Sequence, residues 1–477
     1  MQKTQGIASM MSNNRNDDCD HKDPSVPDSQ RRKLLGGLAA AAGISLLPSC
    51  GGGDGSSSLV ATAALPDPGQ SGIDHIVVVM MENRSFDHYL GWLPGADGKQ
   101  AGLSFADRNG KISSTYPLAP EFQGCAYQDP DHSHEGGITE YNNGKCDGFL
   151  LTSSDTFPIG YYRQEDLSFH GQAAPAWTVY DRYFCSIMAE TEPNRFYMHS
   201  AQTPAIHNKD VRPAIAAQMP TIWDKLSAAG VSGKYYYSDV PYLASYGSKY
   251  AHISQPLDQF LAAAAAGTLP NVSYVDPAFV GNGTQNDDHP FGDIRDGQAF
   301  MNQIYGAVTQ SPQWPKTALF FIYDEWGGFF DHVPPPFAGV IPPFDLAAFK
   351  AINETPSSQL GFRIPAMAVS PFARRGYVAH DQYDHTSILK MIEWRFGLTP
   401  LTVRDAQAAN IAESFDFQSG ANVSAPAFTV PSGPFGKTCA PKSLAAGSAA
   451  AAIRAEHNEN VQRLAQLAQQ HGFWVAT

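Results

Sequence analysis

The sequence predicts an α/β protein built on a mostly parallel central sheet flanked by helices on both faces. Three observations carry that reading. Strand-like apolar runs recur along the chain, and helix-like stretches separate them. The greasiest runs are apolar at every position rather than at alternate ones. A strand apolar on both faces is buried on both faces, as in a parallel sheet.

The first strand lies in IDHIVVVMMENRSFDHYLG, where Ile76–Met81 end abruptly in Glu82, Asn83, Arg84 and Ser85. Residues 95–165 follow as a long polar insertion rich in Gly, Asp and aromatics. Long loops over the carboxyl end of a sheet are often lids or substrate walls. Helix-like 219–230 then precedes strand-like 234–238, and helix-like 255–267 precedes NVSYVD at 271–276. TALFFIYDE at 317–325 and IPAMAVSPF at 364–372 complete the strand set. Helix-like HTSILKMIEWRFG at 385–397 and an Ala/Gln-rich helical tail from Leu444 to about Gln470 close the chain. No second linker or repeat interrupts residues 71–477, which are expected to form one domain.

The amino terminus reads as an address. Arg31 and Arg32 precede an apolar run from Leu34 to Leu47, too short for a stable span and fit for a signal peptide over residues 1–49. Paired arginines there point to twin-arginine export. LPSC before GGGDGSSS makes Cys50 a candidate lipidation site, and residues 50–70 a flexible tether. The expected location is therefore periplasmic, outer-membrane lipoprotein or secreted. Four further cysteines suit an oxidising compartment, and Cys125 and Cys146, sharing one loop-like stretch, are the expected disulfide. Their surroundings do not resemble a zinc site.

The 477 residues are 43% hydrophobic, ample for a large core. A formal charge of -14, spread along the chain, argues against a nucleic-acid partner and against charge-driven binding to anionic membrane. It leaves neutral phospholipid open.

The chemistry gathers where strands end. IVVVMM delivers Glu82 and Asn83, TALFFIY delivers Asp324 and Glu325, and NVSYV delivers Asp276, followed by Asp287, Asp288 and His289. Ligands bind at the carboxyl ends of strands in such sheets. Hard oxygen donors with an imidazole suit a divalent cation that polarises a phosphoryl oxygen. Each residue alone reads as readily as a cap or solvated loop charge. In AETEPNRFYMHS, Thr191 precedes Pro193 and Arg195 at a predicted helix start. A hydroxyl there sits among unpaired backbone N–H groups that accept phosphate oxygens, and Arg195 offers a guanidinium. Thr191 as a plain N-cap fits the same pattern.

ENRSFDHYLG (82–91), TEPNRFYMHSA (191–201), NDDHP (286–290) and DEWGGFFDHVPPP (324–336) together resemble the bacterial phospholipase C and acid phosphatase family. That family includes secreted phosphatidylcholine-hydrolysing enzymes and the plant non-specific phospholipases C. The resemblance spans about 73–397 and implies an alkaline-phosphatase-like fold with a metal-assisted phosphoenzyme mechanism. It implies Thr191 as nucleophile, with Glu82, Asn83, Asp324, Glu325 and Thr191 around a divalent metal. His289 falls on the leaving-group or phosphate side, His132 is favoured over His134 as a second active-site histidine, and Arg195 lies beside the phosphate or in support. Asp331, His332 and His385 read as supporting residues. Many relatives have DEHGG where this chain has DEWGG, so Trp326 either alters head-group preference or is structural. The implied substrate is a phospholipid, met by peripheral contact with membrane lipid, or a small phosphomonoester. A non-catalytic surface lipoprotein is disfavoured by the intact set, and a sulfatase-like enzyme by threonine in the place of Cys or Ser.

Overall fold

The backbone folds around an eight-stranded sheet whose strands, in chain order, are β1 (His75–Met81), β2 (Thr178–Tyr180), β3 (Gly233–Tyr237), β4 (Ser254–Pro256), β5 (Val272–Asp276), β6 (Thr317–Tyr323), β7 (Met367–Val369) and β8 (Tyr377–Ala379). This computed structural model describes residues 64–439, except 282, and 449–475. Residues 61–477 form one compact unit. The expected export signal, Cys50 and most of the tether lie outside the described residues; the tether's last three, Pro68–Gln70, form a 3-10 turn.

Spatial order is β8-β2-β7-β6-β1-β5-β3-β4. Every pairing is parallel except those of β7, which runs antiparallel to both β6 and β2. The central strands β1, β5 and β6 are buried along nearly their whole length, as their unbroken apolar runs require. Three strands, β2, β4 and β8, fall outside the expected set. Each is three residues long, too short to show a periodicity. The run at 364–372 contributes only three strand residues, because the rest departs into turns.

Helices flank the sheet. Those used below are α1 (Phe86–Leu90), α2 (His134–Tyr141), α3 (Thr191–Ser200), α4 (Ile294–Thr309), α5 (His385–Phe396) and α6 (Ala449–Gln470). Strong caps start several of them. Asp384 accepts the Thr386 N–H ahead of α5, and Ser133 accepts the Gly136 N–H ahead of α2. The insertion at 95–165 is not a structureless loop. It carries α2, a two-stranded pair (Ser104–Ala106 with Ile112–Ser114), and a short parallel pairing of Tyr116–Pro117 with Gly160–Tyr161.

The disulfide differs from expectation. Cys125 bonds Cys439, 314 residues away, while Cys146 and Cys185 are buried free thiols. Shared loop position misled here, because proximity in sequence says little about a chain that returns. The segment before Cys439 runs back along α4, where Asp296 accepts the Phe435 and Gly436 N–H groups and Gln123 accepts the Lys437 N–H. That path delivers Cys439 to Cys125. Among the described residues no helix is long and apolar enough to cross a membrane.

Candidate active site

β1 and β6 run parallel in a register that pairs Met81 with Tyr323, so both strands end at one level. Glu82-Asn83 and Asp324-Glu325 leave them side by side. The two exits are bonded together: Asp324 N–H donates to the Met81 carbonyl (3.0 Å), Asn83 N–H to Asp324 Oδ1 (3.1 Å), and Arg84 N–H to the Glu325 carbonyl (3.2 Å). Asn83 adopts a left-handed backbone (φ 60°), which Asn tolerates better than most residues. Opposite it, Gly327 also has positive φ, and a Cβ there would meet the Asn83 carbonyl at 2.2 Å. Only glycine fits that approach.

Arg195, from α3, is the cation of this edge. It contacts Glu82 (3.2 Å), Asp276 at the end of β5 (3.1 Å) and Asp324 (3.5 Å), and donates to the Met80 carbonyl. Its guanidinium is turned onto carboxylates rather than held out for a phosphate. Burial and the neighbouring Asp324 push the Glu82 carboxyl up to about 8, with Arg195 opposing. Burial likewise raises Glu325 and Asp324. Four carboxyls thus converge on one guanidinium and the His132 imidazole.

Thr191 is the first residue of α3, half-buried, and the N-cap position is Glu190. The plain N-cap reading of Thr191 therefore does not hold. Thr191 lies at the helix N-terminus and lines a pocket with Glu82, Arg195, Tyr242 and Phe279. Asn194 fixes the entry to the helix by donating to the Ala189 carbonyl (2.7 Å), and the Glu192 N–H donates to Asn208 Oδ1 (2.8 Å).

His132 and His289 meet edge-on, ring centres 5.8 Å apart. His132 donates from Nδ1 to the Pro130 carbonyl (2.9 Å). Burial disfavours its charge, but Glu325 and Asp129 outweigh that and raise it to about 10, so it is an imidazolium near neutrality. His289 Nε2 lies 3.7 Å from Asp129 Oδ2. Asp129 had no signal in the sequence, since one Asp in a polar loop looks like any other. His134 is engaged elsewhere, with Glu354 and the Met188 carbonyl.

Of the remaining candidates, Asp288 accepts from Tyr323 (2.6 Å) and Tyr89, and its carbonyl accepts from Arg84. Asp287 accepts the His289 N–H. His385, kept neutral by burial, donates to the Asp324 carbonyl (2.8 Å) and so holds a strand end in place. Trp326 is fully buried, donates to Glu140 (2.7 Å) and packs on Phe362. It is a structural residue.

Two sets can be weighed for a metal. Asp87, Asp331 and His332 offer ligand atoms within 4.8 Å of one another. There, however, Arg363 already contacts both carboxylates (3.2 and 3.0 Å), and His332 contacts Asp87. At the strand ends the donors are less satisfied: Asn83 Oδ1 and Nδ2, Asp324 Oδ2 and Glu325 Oε1 are buried without hydrogen bonds. Hard oxygen donors in net negative surroundings fit a divalent cation.

Family and relatives make this chain a hydrolase acting on phosphoric ester bonds. More particularly, the chain belongs to the Phosphoesterase family, whose model matches residues 73–399. It is 33% identical to non-specific phospholipase C1 of Arabidopsis thaliana over 72% of this chain and 71% of that one. It is 32% identical to phospholipase C B of Mycobacterium tuberculosis (77% and 82%), and 30% to the non-hemolytic phospholipase C of Burkholderia pseudomallei (81% and 64%). A Vibrio parahaemolyticus protein of the alkaline phosphatase superfamily aligns at TM-score 0.35 with 10% identity, covering 89% and 94% of the two chains. The fold itself is given by the strand order above.

Proposed function

We propose that this protein is an exported phospholipase C that cleaves the glycerol–phosphate bond of phosphatidylcholine-like lipids through a phospho-threonine at Thr191. The supporting observation is that Thr191 begins α3 and lines one pocket with Glu82 and Arg195. The names of the relatives support the lipid class, and the paired arginines with a disulfide support export.

Thr191 Oγ attacks phosphorus while the bond to the diacylglycerol oxygen breaks. The His289–His132 pair beside Glu325 holds the proton that the leaving oxygen takes. Water then attacks the phospho-threonine, the phosphorus–oxygen bond to Thr191 breaks, a proton of that water returns to the Thr191 oxygen, and the head-group phosphomonoester is released. Pro193 has no N–H and the Glu192 N–H is given to Asn208, so the start of α3 offers its dipole to the phosphoryl oxygens rather than a row of N–H donors. Arg195 restrains Glu82, Asp276 and Asp324. Glu82, Asn83, Asp324, Glu325 and Thr191 would hold a divalent cation, which when bound polarises the phosphoryl group and acidifies the hydroxyl.

The runner-up is a broad-specificity acid phosphatase, favoured by the narrowness of the Thr191 pocket, about 40 Å³. The deciding experiment compares phosphatidylcholine with p-nitrophenyl phosphate, wild type against Thr191→Ala, with and without chelator. Diacylglycerol release lost in the variant and in chelator supports the proposal. Monoester hydrolysis alone moves the protein to the phosphatase reading, and activity untouched by Thr191→Ala overturns the site.

A further inference from the structure

The pocket beside Thr191 has a wall that comes from the far end of the chain. Asn460, Val461 and Leu464 of α6 line it together with Thr191, Glu82 and Phe279. The helix is held by three kinds of contact. Arg463 pairs with Glu192, the residue after Thr191, and donates to the Asn208 carbonyl at 3.1 Å. Asn208 in turn accepts the Glu192 N–H, so Arg463 grips the turn that presents the hydroxyl from both of its neighbours. Leu464, Ala468 and Phe473 are buried against the main core. Tyr237 donates to the Trp474 carbonyl at 2.7 Å just beyond the helix.

With α6 in this position the cavity is about 40 Å³. That is space for a few waters, whereas pockets that bury drug-sized ligands span roughly 300–1,000 Å³. With Val461 and Leu464 in its wall, the pocket beside Thr191 is too small to take up a glycerophospholipid. The residues that line this side of the pocket are apolar, and the polar contact that ties the helix to the Thr191 turn is one partly exposed guanidinium, Arg463.

We propose that α6 is a specificity-setting gate on the Thr191 pocket: Arg463 latches it to Glu192 and Asn208, and lipid enters only when Val461 and Leu464 move aside. The proposal rests on the assignment of Thr191 as the reacting residue. It makes the carboxy-terminal helix, rather than the strand-end residues, the element that decides which phosphoesters are hydrolysed. Bulky lipids depend on release of the latch, and the apolar face then exposed suits contact with acyl chains.

The test uses the full chain and two readouts. Leu464→Cys reports gate position through its rate of maleimide labelling, with the wild-type chain labelled in parallel to subtract native thiols. Adding Arg463→Ala is expected to speed labelling roughly fivefold to tenfold, as loss of a hydrogen-bonded charge shifts the opening equilibrium. Phosphatidylcholine vesicles are expected to speed labelling in the Arg463-intact protein as well. In the chain with native Leu464, Arg463→Ala should raise kcat/KM for the vesicles by a similar factor, and Arg463→Lys should lie between it and wild type. Labelling that responds neither to Arg463→Ala nor to vesicles overturns the gate. So does Arg463→Ala turnover that falls in step with melting temperature, the mark of a purely structural contact. Thr191→Ala reads the other assignment independently: if it leaves hydrolysis intact, the nucleophile is wrong, while the labelling result still reports whether α6 moves.

Discussion

Replacing Arg195 by methionine removes the one guanidinium that three buried carboxylates share. At 3.1 Å from Asp276 and 3.5 Å from Asp324, each ion pair is worth about 5 kcal/mol gross at an effective dielectric of about 20, while Glu82, raised to about 8, is largely protonated near neutrality and adds less. Desolvation offsets most of that. The net loss when one partner of a buried ion pair is deleted is about 3–5 kcal/mol. Unfolding entropy of about 2.1 cal/mol/K per residue over roughly 400 residues converts this to a melting point lower by about 4–6 °C. Methionine keeps much of the volume, so the loss is one of charge. The assay is thermal unfolding of wild type, Arg195→Met and Arg195→Lys in chelator and again with excess divalent cation. Lysine should fall between the other two, since one ammonium cannot span all three carboxylates. The cation should restore part of the Arg195→Met deficit, because it supplies positive charge to the same oxygens. A drop in Arg195→Met of less than about 1 °C would refute the reasoning, for it would mean that the carboxyls are neutral and need no counter-charge.

Three further outcomes are expected. Cys439→Ser, or reduction of the native chain, should cost about 6 kcal/mol by the chain-entropy estimate for so long a loop, read as a melting point lower than that of the oxidised chain. Glu393, buried on α5 and pushed up to about 9 by burial and by Asp405, holds a proton in the folded state that the unfolded chain releases. Its contribution to stability is therefore present at low pH and lost as pH rises through about 9, so Glu393→Gln should flatten the alkaline decline measured by urea unfolding between about pH 6 and 9. Trp326→His should destabilise by about 2–4 kcal/mol as a large buried side chain is trimmed, yet leave the ratio of phosphatidylcholine to phosphatidylethanolamine hydrolysis unchanged; a ratio shifted severalfold would show that Trp326 reaches substrate after all.

The long central strands were legible because their burial on both faces is written as unbroken apolar runs, and the acidic pairs were legible because they stop those runs abruptly. Ile76–Met81 and Thr317–Tyr323 behave so. The three-residue strands and the antiparallel turn of β7 were not, since they are imposed by neighbours and carry no period of their own. Around Thr191, sequence named the residues that sit near one another in motifs. It missed Asp129, which acquires a partner only in three dimensions, and it paired Cys125 with the wrong cysteine because the returning segment is held by backbone groups capped on Asp296 rather than by any motif. The role of Asn460, Val461 and Leu464 as a pocket wall was invisible for the same reason: a helical tail announces its periodicity but not its docking site.

The level ending of β1 and β6 has a consequence for how such a site can change over time. Glu82-Asn83 and Asp324-Glu325 are locked by strand register, so a single-residue slip in either strand would turn one pair's side chains to opposite faces. Insertions or deletions there are forbidden, whereas point changes in the 95–165 segment and in α6 leave the register alone. Apart from Asp129 and His132, which the 95–165 segment contributes to the site, the molecule thus separates a register-locked centre from a more variable rim. New substrate ranges can be tried at the rim, by lengthening, trimming or exchanging the terminal helix, without dismantling the strand ends that hold the chemistry.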